Sequence, residues 1–247
     1  MTKRFEGRVA VVTGASRGIG YFTAKALAAE GAHVIALART VGGLEELDDE
    51  IRSEGGQATL VPVDLTDYDA LDRLGAAIHE RWGKLDVLIG NAGILGGLSP
   101  LGHVAPRIWD KVMAINVTAN WRLIRSLDPL LRQSDAGRVL FLSSGAAHKC
   151  KAFWGPYSVS KAALEALVRT YVAETAQTRI TGMLVNPGAT RTAMRAEAMP
   201  GEDPQTLPHP SEVAASLLDF VAPDNTANGK LFDFPSKELR DFVQVSS

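Results

Sequence analysis

Short apolar runs alternate with longer amphipathic stretches along the whole chain. The first run, Val9-Ala10-Val11-Val12, follows a charged segment and leads through Thr13-Gly14 into a helix-like pattern. Short continuous apolar runs are typical of strands that are buried on both faces of a parallel sheet, and the amphipathic stretches are typical of the helices that cover it. The alternation therefore predicts an α/β fold with helices on both faces of the sheet.

The same pattern gives the bounds of each predicted element. We predict strands over residues 8–13, 33–38, 58–63, 86–90, 138–143, 180–186 and 230–233, and helices over residues 18–30, 42–54, 67–82, 106–132, 156–177 and 211–221. Gly31 and Gly83 are expected to end helices in the left-handed conformation, and Asp67 and Ser211 are expected to be N-caps.

A chain of 247 residues is long enough for one large α/β domain, and nothing in it demands a second one. We therefore expect a single domain over residues 1–247. One irregular stretch, near residues 187–210, contains five of the 12 prolines. A loop of this length inside a compact domain is usually a lid or a binding loop, so we expect a substrate lid there.

Composition and charge exclude several classes of function. The 26 basic and 28 acidic residues leave a net charge of −2, which does not favour nucleic acid or a membrane surface as a partner. No uncharged apolar stretch is long enough for a membrane span, and the N-terminus has no apolar signal region. The single cysteine, Cys150, excludes an intrachain disulfide. We expect a cytoplasmic protein, and the five histidines show no metal-binding spacing, so we expect no metal.

Gly14, Gly18 and Gly20 lie between the first predicted strand and the first predicted helix. Glycine lets backbone N–H groups approach an anion without a side chain in the way, and the start of a helix favours negative charge. An ordinary tight turn would also use glycine. The strand before these residues and the helix after them favour a site for the pyrophosphate of a dinucleotide.

The end of the second predicted strand indicates which nucleotide binds. A carboxylate there would bind the ribose hydroxyl of NAD, whereas an arginine suits the 2′-phosphate of NADP. The chain has Arg39 at this position and a second cation, Arg17, in the glycine loop. Both could be solvated surface residues, but the guanidinium geometry suits a phosphate, so we expect NADP(H).

Tyr157 and Lys161 are four residues apart in a helical pattern, so they share one face of the helix. A nearby ammonium group favours a phenolate and is expected to lower the pKa of Tyr157. A tyrosine tuned in this way can donate a proton to a carbonyl or accept one from an alcohol. Ser144, thirteen residues upstream of Tyr157, completes a set that indicates redox chemistry.

Taken together, these motifs resemble the short-chain dehydrogenase/reductase (SDR) family, and the likeness covers nearly the whole chain. The motifs are Thr-Gly-Ala-Ser-Arg-Gly-Ile-Gly at 13–20, Asp64-Leu65-Thr66, Asn91-Ala92-Gly93, Asn116-Val117, Ser143-Ser144, the Tyr157/Lys161 pair, and Asn186-Pro187-Gly188 followed by Thr192. Residues 91–96, 187–196 and 202–205 look like a subgroup of poorly characterised bacterial oxidoreductases.

The resemblance implies a Rossmann fold, which is a doubly wound, seven-stranded parallel sheet in the order 3-2-1-4-5-6-7. It implies that Tyr157 is the general acid or base, that Lys161 binds the nicotinamide ribose and tunes Tyr157, that Ser144 binds the substrate oxygen, and that Asn116 supports a water-linked proton relay. The residues that it implies for cofactor binding are Gly14, Ser16, Arg17, Gly18, Ile19, Gly20, Arg39, Asp64, Leu65, Asn91, Ala92, Gly93, Tyr157, Lys161, Pro187, Gly188, Thr190 and Thr192.

The chain departs from the family pattern at two places. Many members have two asparagines before the Ala-Gly pair, but this chain has Gly90-Asn91, so the hydrogen bonds at this strand end are in question. The segment 229–234 also lacks an Asp-Gly-Gly sequence that is often found there, which puts the pocket floor and the local dimer contacts in question.

The expected function is that of an NADP(H)-dependent carbonyl reductase or alcohol dehydrogenase. An alternative is a 3-oxoacyl thioester reductase, although Asp128-Pro129 lies where a carrier protein would favour a basic patch. A non-catalytic nucleotide-binding regulator is a second alternative, which the four filled catalytic positions disfavour. A Ser144–His148 hydrolase is disfavoured because no G-x-S-x-G motif surrounds the serine.

Two further expectations concern partners. Residues 146–154 are expected to line the substrate cleft, with Phe153 and Trp154 as an apolar wall and Lys149 and Lys151 facing an anionic group. Ordinary core packing and solvation would account for these four residues equally well. Small residues lie on more than one face of helix 156–177, so we expect a homodimer or a homotetramer.

Overall fold

Eight strands form one sheet in the computed structural model, which describes residues 3–242. The strand order is β3-β2-β1-β4-β5-β6-β7-β8. All pairs are parallel except β7 with β8. The strands are β1 (Val9–Thr13), β2 (His33–Ala38), β3 (Gln57–Pro62), β4 (Val87–Gly90), β5 (Arg138–Leu142), β6 (Thr181–Asn186), β7 (Lys230–Asp233) and β8 (Glu238–Asp241). The predicted order of the seven parallel strands is confirmed.

Nine α-helices connect these strands within residues 3–242. They are α1 (Gly18–Ala29), α2 (Val41–Ser53), α3 (Tyr68–Trp82), α4 (Pro106–Met113), α5 (Ala119–Leu131), α6 (Ala146–Lys149), α7 (Gly155–Glu174), α8 (Ala193–Ala198) and α9 (Pro210–Val221). Asp67 caps α3 as expected, since its side chain accepts a hydrogen bond from the Ala70 amide. No helix within the described residues is both long and apolar enough to cross a lipid bilayer.

Several features differ from the prediction, and the first is that the short helices α6 and α8 lie outside the predicted helices. Strand β8 was not predicted, because Glu238–Asp241 is exposed throughout and carries no apolar signal. The predicted helix 106–132 is interrupted by a π-helical turn, Ala114–Thr118. The expected N-cap Ser211 is wrong: His209 caps α9 together with Glu212 in a capping box, and the helix begins at Pro210.

Helices pack on both faces of the sheet, and β1 shows why. All five of its residues are buried, and successive side chains point to opposite faces. Val12 packs in the core with α1, α2 and α9, whereas Val11 packs in the core with α3, α5 and α7. Truncation of a side chain such as Leu27 or Leu123, both fully buried, is expected to cost about 2–5 kcal/mol of unfolding free energy.

The strand order creates a binding crevice at the carboxyl ends of the parallel strands. Because the strands are parallel, their carboxyl ends meet at the same edge, and the chain order reverses between β1 and β4. A crevice forms outside the strand ends at such a reversal. The glycine loop, Asn91, Ser144 and Pro187 come after β1, β4, β5 and β6, so all four lie at this edge.

Candidate active site

A cleft of about 450 Å³ opens at the carboxyl edge of the sheet. It is lined by fifteen of the eighteen residues that the sequence suggests for cofactor binding, namely Gly14, Ser16, Arg17, Gly18, Ile19, Arg39, Asp64, Leu65, Asn91, Ala92, Gly93, Tyr157, Lys161, Pro187 and Thr192. Gly188 and Thr190 line a second cleft instead, and Gly20 lines neither. We call these the first cleft and the second cleft.

The glycine loop is shaped for a phosphate group. Gly14 and Gly18 have φ angles of 66° and 60°, which L-residues with side chains rarely adopt. A Cβ atom on Gly14 would lie 2.8 Å from Asn91 Nδ2 and 3.1 Å from Ala92 Cα, so the loops after β1 and β4 meet closely there. No side chain caps the start of α1, which leaves its first N–H groups for an anion. This cradle fits the pyrophosphate of a dinucleotide.

The single asparagine after β4 holds the loop together. Asn91 Nδ2 donates to the Thr13 carbonyl at 2.8 Å, and the Asn91 and Ala92 amides both donate to Thr13 Oγ1 at 3.0 Å. A side chain at Gly90 would run into the Phe141 ring on β5. The close packing of Phe141 on β5 therefore explains why residue 90 is a glycine rather than a second asparagine.

Two arginines line the first cleft, namely Arg17 in the glycine loop and Arg39 directly after β2. Arg17 is exposed, and Arg39 keeps 69% of its side chain exposed, with its Nη1 3.9 Å from Asp64 Oδ2. Hydrogen bonds from the Thr66 amide and hydroxyl to Asp64 Oδ1 lower the pKa of Asp64, so its carboxylate stays charged at neutral pH. An exposed pair at this distance is weak, so the Arg39 guanidinium can bind a phosphate.

Tyr157 and Lys161 lie on the first turns of α7 and are almost fully buried. Burial raises the pKa of Tyr157, and the neighbouring Ser144 side chain partly opposes this rise. The predicted net lowering of the Tyr157 pKa is therefore wrong, because the effect of burial is the larger one. Lys161 Nζ lies 5.7 Å from the Tyr157 ring centre and donates to the Leu142 carbonyl at 2.6 Å, and burial lowers the pKa of Lys161 to about 8.

A buried carboxylate, which sequence reasoning missed, lies next to the lysine. Glu165 is 8% exposed, and its charge raises the pKa of Lys161. Its Oε1 accepts a short hydrogen bond from Ser143 Oγ, and its Oε2 lies 3.0 Å from His148 Nε2. The sequence could have indicated this contact, because Glu165 comes four residues after Lys161 and that spacing puts both side chains on one helix face.

Asn186 links the two loops that come after β5 and β6. Its Oδ1 accepts from the Gly145 amide at 2.9 Å and from the Gly188 amide at 3.1 Å, and its Nδ2 donates to Asp233 at 2.6 Å. The sequence motif contained Asn186, but the spacing alone did not indicate that it fixes the turn next to Ser144.

Asn116 lies in the π-helical turn and is fully buried. Its side chain exchanges hydrogen bonds of 2.9 and 3.0 Å with the Ile94 amide and carbonyl, and donates to Ser160 Oγ at 2.9 Å. A Cβ on Gly93 would lie 3.3 Å from Asn116 Oδ1 and 3.6 Å from Lys161 Nζ. Asn116 and Lys161 therefore flank the backbone of Gly93.

The second cleft has a volume of about 870 Å³ and shares a wall with the first. Tyr157, Ile19, Pro187, Thr192 and Met194 line both. Ser144, Lys149, Lys151 and Trp154 all line the second cleft. Phe153 does not line either cleft, and 56% of it is exposed. The predicted apolar wall therefore retains only Trp154 of the two aromatic residues.

Comparison with known proteins fixes the family. A family model described as short chain dehydrogenase matches residues 8–203. The chain belongs to this family. It is therefore a short chain dehydrogenase, and the family resemblance found in the sequence is confirmed.

Several relatives of this short chain dehydrogenase are similar over nearly their full lengths. The uncharacterized oxidoreductase YciK of Escherichia coli K12 is 37% identical over 230 residues, which are 92% of this chain and 91% of YciK. A short chain dehydrogenase from Shigella flexneri 2a, in complex with NADP, is 37% identical, with a TM-score of 0.91 over 95% of this chain and 100% of that one. One from Escherichia coli CFT073, in complex with NADPH, is 36% identical, with a TM-score of 0.89 over 95% and 99%.

The site of this short chain dehydrogenase lacks the contact that a hydrolase would need. His148 Nε2 pairs with Glu165, whereas Ser144 Oγ accepts a hydrogen bond from the Ala146 amide at 3.2 Å and lines the second cleft together with Tyr157. A serine nucleophile needs a base within hydrogen-bond reach. Within residues 3–242, the ring nitrogen contact of His148 therefore goes to Glu165, and Ser144 shares its cleft with the tyrosine.

Proposed function

We propose that this short chain dehydrogenase is an NADP(H)-dependent oxidoreductase that transfers a hydride between nicotinamide and a carbonyl or secondary alcohol. The observation that carries the proposal is the position of Tyr157 on the wall between the two clefts, where it lines the second cleft together with Ser144. A cofactor in the first cleft and a substrate in the second would meet at this hydroxyl.

Three features support NADP(H) as the cofactor. The glycine cradle fits a pyrophosphate, Arg17 and Arg39 offer cations where the 2′-phosphate would bind, and two of the similar structures contain NADP or NADPH. When bound, the cofactor supplies the hydride that reduces the carbonyl carbon. The chain supplies orientation, a proton and hydrogen bonds.

In the reducing direction, Tyr157 acts as the general acid. Burial keeps its phenol protonated through neutral pH, so a proton is available on Oη for the carbonyl oxygen. Ser144 Oγ donates a second hydrogen bond to the same oxygen, where negative charge develops as hydride reaches the carbon. Oxidation of an alcohol runs through the same atoms in reverse.

Lys161 restores the charge balance after the proton leaves Tyr157. Its ammonium stabilises the phenolate that forms, and its pKa of about 8 lets it pass a proton on at neutral pH. Asn116 supports this relay, because its side-chain bonds to Ile94 and Ser160 fix the backbone of the π-helical turn beside Lys161. Hydride and proton together complete the two-electron reduction.

The whole chain is one domain in this proposal, and residues 187–210 form the substrate lid. Support comes from the lining of the second cleft, which includes Met194 and Ala198 of α8 and Leu207 of this segment. Thr192 caps α8 through its hydroxyl, which orders the segment beside the cofactor cleft.

We also propose a cytoplasmic homodimer or homotetramer. Support for self-association comes from α5 and α7, which leave apolar side chains on their outer surfaces. Trp121 is 45% exposed and Val159 is 41% exposed, and Ala162 and Ala166 are also exposed. A second copy of the chain would cover this apolar surface.

The test is consumption of NADPH and NADH with a panel of ketones, diketones and 3-oxoacyl thioesters. We expect ketone-dependent oxidation of NADPH with a kcat/KM at least about tenfold above that with NADH. Preference for an acyl-carrier thioester over every free ketone would favour the acyl-carrier alternative. Tight NADPH binding without turnover of any compound would contradict the proposal and favour the regulatory alternative.

A further inference from the structure

The second cleft carries three lysines that have no ion-pair partner among residues 3–242, namely Lys149, Lys151 and Lys237. We propose that the substrate is an anionic carbonyl compound, with a carboxylate or phosphate group bound by these lysines. This inference rests on the proposed function, because it assigns the second cleft to the substrate.

The acidic side chains in the cleft are already used by the protein. Asp233 accepts hydrogen bonds from Asn186 at 2.6 Å and from Ser236 at 2.7 Å, and its Oδ2 lies 3.7 Å from Arg240. Glu212 Oε1 accepts from the His209 amide at 2.7 Å in the capping box of α9. Neither carboxylate pairs with one of the three lysines.

The one arginine that lines the second cleft is neutralised. Arg195 donates from Nε and Nη2 to both oxygens of Glu202, at 2.5 and 2.6 Å. A bidentate ion pair of this kind is nearly neutral as a whole, so it exerts little attraction on an anion. The charge that is left unmatched in the second cleft therefore comes from the three lysines.

The ammonium groups of Lys149 and Lys237 have identifiable neighbours in the second cleft. Lys149 Nζ lies 3.8 Å from the point that a Cβ on Gly145 would occupy, so its ammonium is beside the turn that comes after Ser144. Lys237 Nζ lies 3.0 Å from the centre of the Phe234 ring, and Phe234 also lines the cleft. Lys149 and Lys151 follow β5, and Lys237 lies in the turn after β7. Their positive charges therefore reach the second cleft from two sides.

The rest of the lining is largely apolar. Trp154, Met194, Met199, Leu207 and Pro208 contribute to it. Methionine side chains adapt to irregular shapes, and an aromatic ring offers a flat apolar contact. A substrate with an apolar body, a reducible carbonyl and an anionic end matches this combination better than a neutral ketone or a cationic one.

The experiment compares three aryl ketones that differ only at the para position. They are 4-acetylbenzoate, 4-acetylphenyl phosphate and methyl 4-acetylbenzoate, assayed as substrates for NADPH oxidation. We expect kcat/KM for at least one anion to exceed that for the ester by about tenfold, with the larger value identifying carboxylate or phosphate as the preferred group. The preference should weaken with added salt, because the lysines are exposed.

The variant Lys149→Gln/Lys151→Gln/Lys237→Gln is expected to lose about tenfold in the ratio of kcat/KM for the anion to that for the ester. The control variant Lys3→Gln/Lys25→Gln/Lys230→Gln also removes three positive charges, but from positions that line neither cleft. It should keep the wild-type ratio of kcat/KM for the anion to that for the ester. A ratio that falls equally in both triple variants would overturn the inference.

The outcomes separate this inference from the proposed function. Reduction of the ester as efficiently as both anions would refute the inference and leave the oxidoreductase assignment standing. If no ketone is reduced, the assignment fails, and calorimetric titration of the NADP⁺-loaded protein decides the inference separately. Equal affinities for the anions and the ester would then refute it.

Discussion

At the scale of single residues, the proposed proton chemistry depends on the buried charges around α7. Tyr157 is kept protonated by burial, and Lys161 is held by the Leu142 carbonyl with its pKa lowered to about 8. Glu165 opposes that lowering, since its carboxylate raises the pKa of Lys161. Lys161 therefore loses its charge as pH rises through about 8, and the activity that depends on the ammonium should fall in the same window.

The variant Glu165→Gln tests this balance. The amide can still accept a hydrogen bond from Ser143, but it no longer supports the charge of Lys161. We expect the alkaline limb of kcat/KM for NADPH to move down by about 0.5–1 pH unit, measured from pH 6 to 10. Glu174→Gln, at the end of α7, is the control. An unmoved limb in Glu165→Gln would mean that Lys161 does not control it.

At the scale of the elements, the loops at the carboxyl ends of the strands build the site. The glycine turn after β1, Asn91 after β4 and Asn186 after β6 join neighbouring loops by hydrogen bonds to backbone groups. At the end of β2 the loop carries Arg39, whose only ion pair within residues 3–242 is the 3.9 Å contact with Asp64. Nucleotide preference should therefore depend on Arg39 at this strand end, with Arg17 of the glycine loop as a second cation.

We expect Arg39→Ala to weaken NADPH binding by about 10–100-fold while changing NADH binding by less than about threefold, as measured by fluorescence titration of both nucleotides. Arg52→Ala is a matched control, because Arg52 is equally exposed (69%) but lies on α2 and lines neither cleft. Equal losses for both nucleotides in Arg39→Ala would show that Arg39 does not recognise the 2′-phosphate.

Several elements could be predicted from sequence because their signals are local. The apolar run of β1, the glycines after it and Asp67 before α3 all act within a few residues. Strand β8 is exposed and is held by pairing with β7, so no local pattern marks it. The π-helical turn at Asn116 depends on contacts with Ile94 and Ser160, which are distant in sequence.

The candidate site shows the same division between local and distant signals. Tyr157, Lys161 and the glycine loop could be recognised from spacing. The contact of Glu165 with Ser143 and His148, and the link from Asn186 to Asp233, required the fold. The direction of the Tyr157 pKa was also missed, because spacing indicates a neighbouring charge but not the depth of burial.

At the scale of the whole molecule, the sheet brings two clefts together at one residue, Tyr157. The first cleft lies at the reversal of strand order, and the second lies under residues that come after β5, β6 and β7. Tyr157 lines both, and it is 8% exposed. In the proposed function, the cofactor binds in the first cleft, the substrate binds in the second, and Tyr157 lies between them.

The most direct measurement is steady-state NADPH oxidation by Tyr157→Phe with a ketone that the wild type reduces, combined with titration of NADPH binding. The substitution removes only the hydroxyl and keeps the ring next to Trp154. We expect kcat to fall at least about 1000-fold while the Kd for NADPH changes by less than about twofold. A kcat within tenfold of the wild type would contradict the assignment of Tyr157 as the proton donor.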